Sequence, residues 1–413
     1  MNLYADAQTI LREAIAAVQP EAAVTRALAQ LPPCHGRRIL VAVGKAACPM
    51  ASAALQALDG HMHAGIVITK HGHGVPLPAP LQVLEAGHPV PDAATYAATA
   101  QALALTANLT PADQVLFLLS GGGSALFEQP LLPPRELTDV TQQLLACGAA
   151  ITQVNTIRKR LSAVKGGRFA LHCAPAQVWS VVLSDVLGDR LDMIASGPAC
   201  PDRSTADEAL AIVDAYGLRL SPQALACLRR PTPSALPNAQ SIVTGSVRQL
   251  VDAAARTCRR LGYAVEILTD CLQSEARDAG RWLAREALVR PGPRALLAGG
   301  ETVVHVMGPG LGGRNQELAL SAAAQIAGQR ALAIFSFGSD GTDGPTDAAG
   351  GYVDGQTQAA LARQGISIPD VLAQNDAYHA LEACGGLIKT GPTGTNVNDL
   401  SVALLGLERQ RNY

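Results

Sequence analysis

VLFLLSGGGSALFE, residues 115–128, decides the fold class of this chain. Residues 115–119 are a continuous apolar run, the pattern of a strand buried on both faces of a parallel sheet. The run stops at Ser120, Gly121, Gly122, Gly123 and Ser124, and the residues beyond read as the start of a helix. Three glycines let the backbone turn tightly and bring its N–H groups up to a ligand. With the partial positive charge of a helix N-terminus behind it, such a turn forms a nest for phosphate oxygens. A plain flexible turn is the competing reading, and the other strand ends have to separate the two.

Composition narrows the class. A chain of 413 residues exceeds one ordinary domain. Hydrophobic residues make up 48% and charged residues 16%, which fits a well-packed globular protein, and only 3% are aromatic, so the core must be mostly Ala, Val and Leu. A net charge of −2 gives no electrostatic case for nucleic acid or an anionic membrane surface. No apolar run approaches the roughly 18–20 residues that span a bilayer. Asp6, Arg12 and Glu13 interrupt the first apolar pattern, unlike a secretory leader. The nine cysteines are scattered without a Cys-x-x-Cys pair, which suits reduced thiols. A soluble, cytoplasmic α/β protein acting on small molecules is expected.

Other strand ends carry similar chemistry. RILVAV at 38–43 is a buried-type strand running into Gly44 and Lys45, with an Ala-rich helix behind. A lysine there points along the carboxyl edge of the sheet, where open α/β folds bind ligands. It is not a P-loop, because the upstream glycine and the following Ser or Thr are missing. The strand predicted at 178–183 delivers Asp185 and Asp189, carboxylates placed to hold Mg²⁺ or orient a hydroxyl. Between these, Asn155, Arg158 and Lys159 fall three and four apart and share one helix face. The proline-rich stretch 220–238 reads as a domain edge, dividing 1–237 from 238–413.

Beyond it a second α/β series begins, with strands predicted at 241–244, 264–268, 295–298, 303–306, 332–337 and 400–405. Residues 308–313 are a literal G-x-G-x-x-G opening a helix whose first turn carries Arg314, Asn315 and Glu317. A nicotinamide-dependent reductase must therefore be weighed. Glu317 would repel a pyrophosphate, and no acidic partner follows at the spacing the fingerprint needs. Phosphoryl transfer accounts for more of the pattern, since it needs positioning and charge neutralisation more than a reactive side chain. Residues 120–124 would hold phosphates, Lys45 and Arg314 would supply cations, and Asp189, Asp340 and Asp343 would contact metal or hydroxyl.

Seven stretches then carry a resemblance: VAVGKAA from Val41, LLSGGGSALFE from Leu118, NTIRKRLSAVKGGR from Asn155, LSDVLGDRLDMIASGP from Leu183, GGETVVHVMGPGLGGRNQELAL from Gly299, FGSDGTDGPTDAAGG from Phe337 and TGPTGTNVNDL from Thr390. In this order the chain resembles the class II glycerate 2-kinases, the group with a C-terminal MOFRL domain. The resemblance implies an N-terminal Rossmann-like domain with a three-layer parallel sheet, a smaller C-terminal α/β domain, and an active site in the cleft between them. It implies phosphorylation of D-glycerate to 2-phosphoglycerate with ATP and Mg²⁺. The lysine and arginine regarded as catalytic in that family fall on Lys45 and Arg314. Asp189 is expected to join them, with Asn155 and Lys159 beside the ATP phosphates and Asn315, Glu317 and Arg158 lining the substrate. Some members have been labelled hydroxypyruvate reductases, which keeps an NAD(P)H-dependent reductase as the second reading. Whether the last strand returns to the first domain, and whether the chain forms a homodimer, stay open.

Overall fold

The computed structural model describes residues 2–407. Strands β1 (Arg38–Val43), β2 (Ala64–Lys70), β3 (Leu81–Ala86), β4 (Gln114–Leu119), β5 (Gln177–Leu183) and β6 (Ala239–Gly245) form one sheet in the order β3-β2-β1-β4-β5-β6. The pairings β3 with β2, β2 with β1, β1 with β4 and β4 with β5 are all parallel. Every residue of β4 is buried. Val115, Phe117 and Leu119 face one core while Leu116 and Leu118 face the other, and β1 divides its side chains the same way. That two-sided burial is why an unbroken apolar run is needed, and it makes the unit three-layered.

Strand order reverses between β1 and β4, because the chain leaves β1 toward β2 and β3 and then returns to β1's other edge. Open parallel sheets bind ligands at such a switch point, outside the carboxyl ends of the strands. The loop bearing Lys45 and the Gly-rich loop after β4 both leave the sheet there.

The second sheet contains β7 (Ala264–Leu272), β8 (Arg294–Gly300), β9 (Leu332–Gly338), β10 (Gly350–Asp354), β11 (Leu387–Ile388) and β12 (Asp399–Leu405), in the order β11-β10-β9-β12-β8-β7. It is mixed: β7 and β8 are parallel, and β12 runs antiparallel to both β8 and β9. Helices Ala276–Leu288 and Arg314–Gln325 share an apolar core with one face of this sheet, including Leu296, Ile334 and Ala403.

The chain divides into two compact units, Ala23–Thr244 and the residues up to Ala22 together with those from Gly245. The expected division at 237/238 differs from this at both ends. β6 follows the proline-rich stretch yet adds to the edge of the first sheet. The N-terminal helix Leu3–Ala17 belongs with the second unit, where Tyr263 Oη donates to Asp6 at 2.6 Å and the Tyr4 ring stacks edge-on with Tyr352 at 5.1 Å. The last strand also joins the second sheet. No strand forms over 303–306: Val303 and Val306 are exposed, and Val303 makes only an isolated bridge to Glu275.

Three of the chain's five phenylalanines stack below the Gly-rich loop, with Phe117 centred 5.7 Å from Phe127 and 4.8 Å from Phe169. With so few aromatics, this cluster should carry much of the first unit's stability. Phe117→Ala is expected to cost about 3–5 kcal/mol, read as a lowered urea midpoint at unchanged slope. A loss below about 1 kcal/mol would show that the cluster is not a major support.

Candidate active site

The loops after β1 and β4 are locked together. The N–H of Lys45 donates to the Gly121 carbonyl at 2.9 Å, and the N–H of Ala46 donates to Ser120 Oγ at 3.1 Å. The Lys45 side chain is exposed beside the Gly-rich turn. Gly122 has φ of 88°, a conformation that favours glycine, and a Cβ on Gly121 would sit 2.5 Å from Asp185 Oδ2. Among the described residues, the N–H groups of Gly121 and Gly122 have no protein acceptor. The helix behind them, Gly123–Leu126, is a single turn. The expected contribution of a helix dipole is therefore small, and what the loop offers an anion is its unpaired N–H groups and nearby cations.

Those cations are held by named contacts. Arg158 donates to the Ser124 carbonyl at 3.1 Å, so it stands beside the phosphate loop. Beneath it the fully buried Lys165 donates to Ser124 O at 2.8 Å and Phe127 O at 2.9 Å, and pairs with buried Glu128 at 3.4 Å. Burial lowers the Lys165 pKa to about 8, with the Glu128 charge opposing that shift. On the far side, the His88 ring edge lies against Gly122, where a Cβ would come 3.0 Å from Cδ2. Burial, then the charges of Lys45, Lys70 and His73, lower the pKa of His88. Neither His88 nor the Lys165–Glu128 pair is singled out by sequence reasoning, because each acts on a loop distant along the chain.

Asn155 lines the pocket over this loop, its Oδ1 accepting from Ser196 Oγ at 2.8 Å. Lys159 is turned away from that role: it is buried and paired with Asp202 at 3.3 Å and Asp192 at 3.6 Å. Asp189 sits in the loop after β5 with φ of 50°, and its Oδ1 is buried without a hydrogen-bond partner.

In the second unit Arg314 opens its helix and is gripped by carboxylates. Nε and Nη2 reach the two oxygens of buried Asp399 at 2.6 and 3.0 Å, and Nη1 reaches Glu301 at 3.0 Å. The bidentate fork fixes the guanidinium plane. Burial raises the pKa of Asp399, with Arg314 opposing the shift. Asp340 stands close to Asp399, both Oδ1 atoms lying within 3.4 Å of where a Gly338 Cβ would be. Asp343 caps the Arg314 helix: its oxygens accept from the N–H groups of Asn315 at 3.1 Å and Gln316 at 2.9 Å. Burial raises its pKa to about 7 against those bonds. Asp343, expected as a metal or hydroxyl contact, thus caps a helix with both oxygens. Asn315 is buried, its Oδ1 accepting from Ser336 Oγ at 2.5 Å. Glu317, expected to line the substrate, accepts from Arg277 Nε at 2.7 Å and Asn375 Nδ2 at 2.7 Å, contacts that brace the loop ahead of its helix. No group of three or more His, Cys, Asp or Glu among the described residues could hold a metal unaided.

The G-x-G-x-x-G stretch is also accounted for. The N–H groups of Met307 and Gly308 donate to Asn375 Oδ1, Gly310 N donates to Gln374 O, and Leu311 N donates to Asp376 Oδ1. These donors, and the Asn315 and Gln316 N–H groups of the capped helix behind them, are taken by protein acceptors, so most of the stretch is not available to a pyrophosphate.

A parallel-sheet unit with a Gly-rich loop at its switch point, and a second unit built on a mixed sheet, define an α/β protein of two units. Residues 6–229 match the family model described as a domain of unknown function, DUF4147, and residues 294–399 match the MOFRL family. D-glycerate 2-kinase of Thermotoga maritima is 48% identical, covering 96% of this chain and 97% of its own. The crystal structure of glycerate kinase from that organism superposes with a TM-score of 0.94 over 98% of this chain. Glycerate 2-kinase of Pyrococcus horikoshii is 39% identical over 91% of the chain, and a putative hydroxypyruvate reductase of Agrobacterium vitis is 39% identical over 96%. The chain belongs to the glycerate kinase family with a C-terminal MOFRL domain.

The Lys165–Glu128 pair supplies a direct test of what supports the phosphate loop. Lys165→Met leaves a buried carboxylate unpaired and is expected to cost about 3–5 kcal/mol in urea unfolding. Adding Glu128→Leu should recover most of that loss. Equal instability of the single and double variants would contradict the pairing.

Proposed function

We propose that this chain is an ATP-dependent kinase that phosphorylates the 2-hydroxyl of D-glycerate, giving ADP and 2-phosphoglycerate. The observation that carries the reading is Lys45 bonded through its backbone to a Gly-rich loop in which the Gly121 and Gly122 N–H groups have no protein acceptor among the described residues. The names of the full-length relatives from Thermotoga maritima and Pyrococcus horikoshii support it.

In this mechanism the Gly121 and Gly122 N–H groups and Arg158 hold the nucleotide phosphates. Lys45 neutralises charge developing on the transferring phosphoryl group. Arg314, its plane set by Asp399, binds the glycerate carboxylate. The 2-hydroxyl oxygen bonds to the γ-phosphorus as the bridge to the β-phosphate breaks, and the hydroxyl proton passes to a carboxylate. Asp189, with a buried oxygen lacking a partner, is the residue proposed to orient that hydroxyl or to hold Mg²⁺, and Asp340 is the second metal candidate. Mg²⁺ held on one or two carboxylates plus the nucleotide phosphates suits this sparse donor set, and when bound it would neutralise phosphate charge. Asn155 borders the nucleotide. The placement of Lys159 between two aspartates supports a bracing role instead.

The relatives called putative hydroxypyruvate reductase supply the second reading. ADP release with D-glycerate and NADH oxidation with hydroxypyruvate, measured side by side, separate the two. ADP release is expected, with Lys45→Ala and Arg314→Ala each lowering kcat/KM on the order of 10²-fold or more. NADH oxidation without ADP release, or variants at wild-type efficiency, would overturn the assignment.

A further inference from the structure

The pocket over residues 120–124 has a volume of about 300 Å³, far more than a three-carbon acid needs. Its polar lining comes from residues 120–124, Asn155, Arg158 and Asp185, and the rest of the lining is carbon: Ile151, Val186, Met193, Ile194 and Ala195. Anions gain nothing from such a surface, whereas a flat heteroaromatic ring does.

Two features mark the wall as built for a ligand. Ile151 is 64% exposed although it is a large apolar residue at the first position of its helix. A water-facing isoleucine contributes little to folding there, and its exposed surface borders the pocket. The neighbouring backbone is also strained, since Ala195 and Ser196 hold φ of 50° and 61°. Non-glycine residues in that region cost on the order of 1 kcal/mol or more each and persist only when their surroundings hold them. The strain brings the Ala195 methyl to 2.9 Å from where a Gly123 Cβ would be, closing the floor of the pocket under the phosphate loop.

We infer that Ile151, Val186 and Met193 form the seat of the nucleotide base, so that the donor lies with its base on helix Ile151–Leu161 and its phosphates running over residues 120–124 toward Lys45. This rests on the reading that a nucleoside triphosphate is the phosphoryl donor, and it makes Ile151 a specificity-determining residue of that site.

The test is calorimetric binding of ATP to wild type, Ile151→Asn and the conservative Ile151→Val, beside steady-state kinetics and inhibition by inorganic tripolyphosphate. Asparagine adds no charge, and the exposed position lets the variant fold, which matched thermal melts verify. Ile151→Asn is expected to weaken ATP binding and raise the KM for ATP about 10-fold or more. The KM for D-glycerate and the inhibition by tripolyphosphate, which has no base, should stay within about 2-fold. Ile151→Val should stay close to wild type. ATP affinity unchanged in Ile151→Asn, or tripolyphosphate weakened as much as ATP, would overturn the inference while leaving ATP as donor. ATP binding that responds to Ile151→Asn in a protein that does not turn ATP over would instead sink the kinase reading and keep the base seat. Absence of ATP binding in wild type would overturn both.

Discussion

The hydrogen bond from the Lys45 N–H to the Gly121 carbonyl ties the chemistry of the first unit to its topology. It exists because β1 and β4 are adjacent parallel strands, so their following loops leave the same edge at the point where strand order reverses. The bond uses the Gly121 carbonyl, while the Gly121 N–H has no protein acceptor among the described residues. It also fixes the root of the Lys45 side chain beside that N–H. The Ser120 hydroxyl takes the next amide, Ala46, and the buried Lys165 takes the carbonyls of Ser124 and Phe127. Carbonyls are thus drawn inward and donors remain, which is the polarity a phosphate requires.

Much of this was legible in the sequence because it is local. A buried parallel strand must be apolar at every position, so the runs at 38–43 and 115–119 announce β1 and β4, and the residues that follow them are the ones brought together. The helix behind the glycines was overread, since a single turn satisfies the same letters. Pairings remote along the chain were invisible. Tyr263 to Asp6 is one, and it draws the N-terminal helix into the second unit rather than the first. β10 and β11 are short and glycine-rich or only two residues long, below what alternation can reveal. Val303 to Val306 shows the opposite error: an apolar stretch that reads as a strand is an exposed loop.

Around Arg314 the structure distributes the sequence's candidates among different contacts. Asp343, Glu317 and Asn315 crowd the arginine in sequence or in motif, but the first two are spent on capping the helix and bracing the preceding loop, and Asn315 is buried beneath. Asp399, some eighty residues on, is the partner that sets the guanidinium plane. The same accounting explains why a literal dinucleotide fingerprint at 308–313 does not act as one. A fingerprint binds pyrophosphate with unpaired N–H groups, and here residues 374–376 and Asp343 have taken those of Gly308, Gly310, Leu311, Asn315 and Gln316.

The central claim is transfer of the γ-phosphoryl group of ATP to the 2-hydroxyl of D-glycerate, and the identity of the product tests it most directly. Proton-coupled ³¹P NMR of the reaction product distinguishes phosphate on the methine carbon from phosphate on the methylene carbon. A product resonance split by a single methine proton is expected, as in 2-phosphoglycerate. A resonance split by two methylene protons, or no phosphorylated glycerate at all, would contradict it.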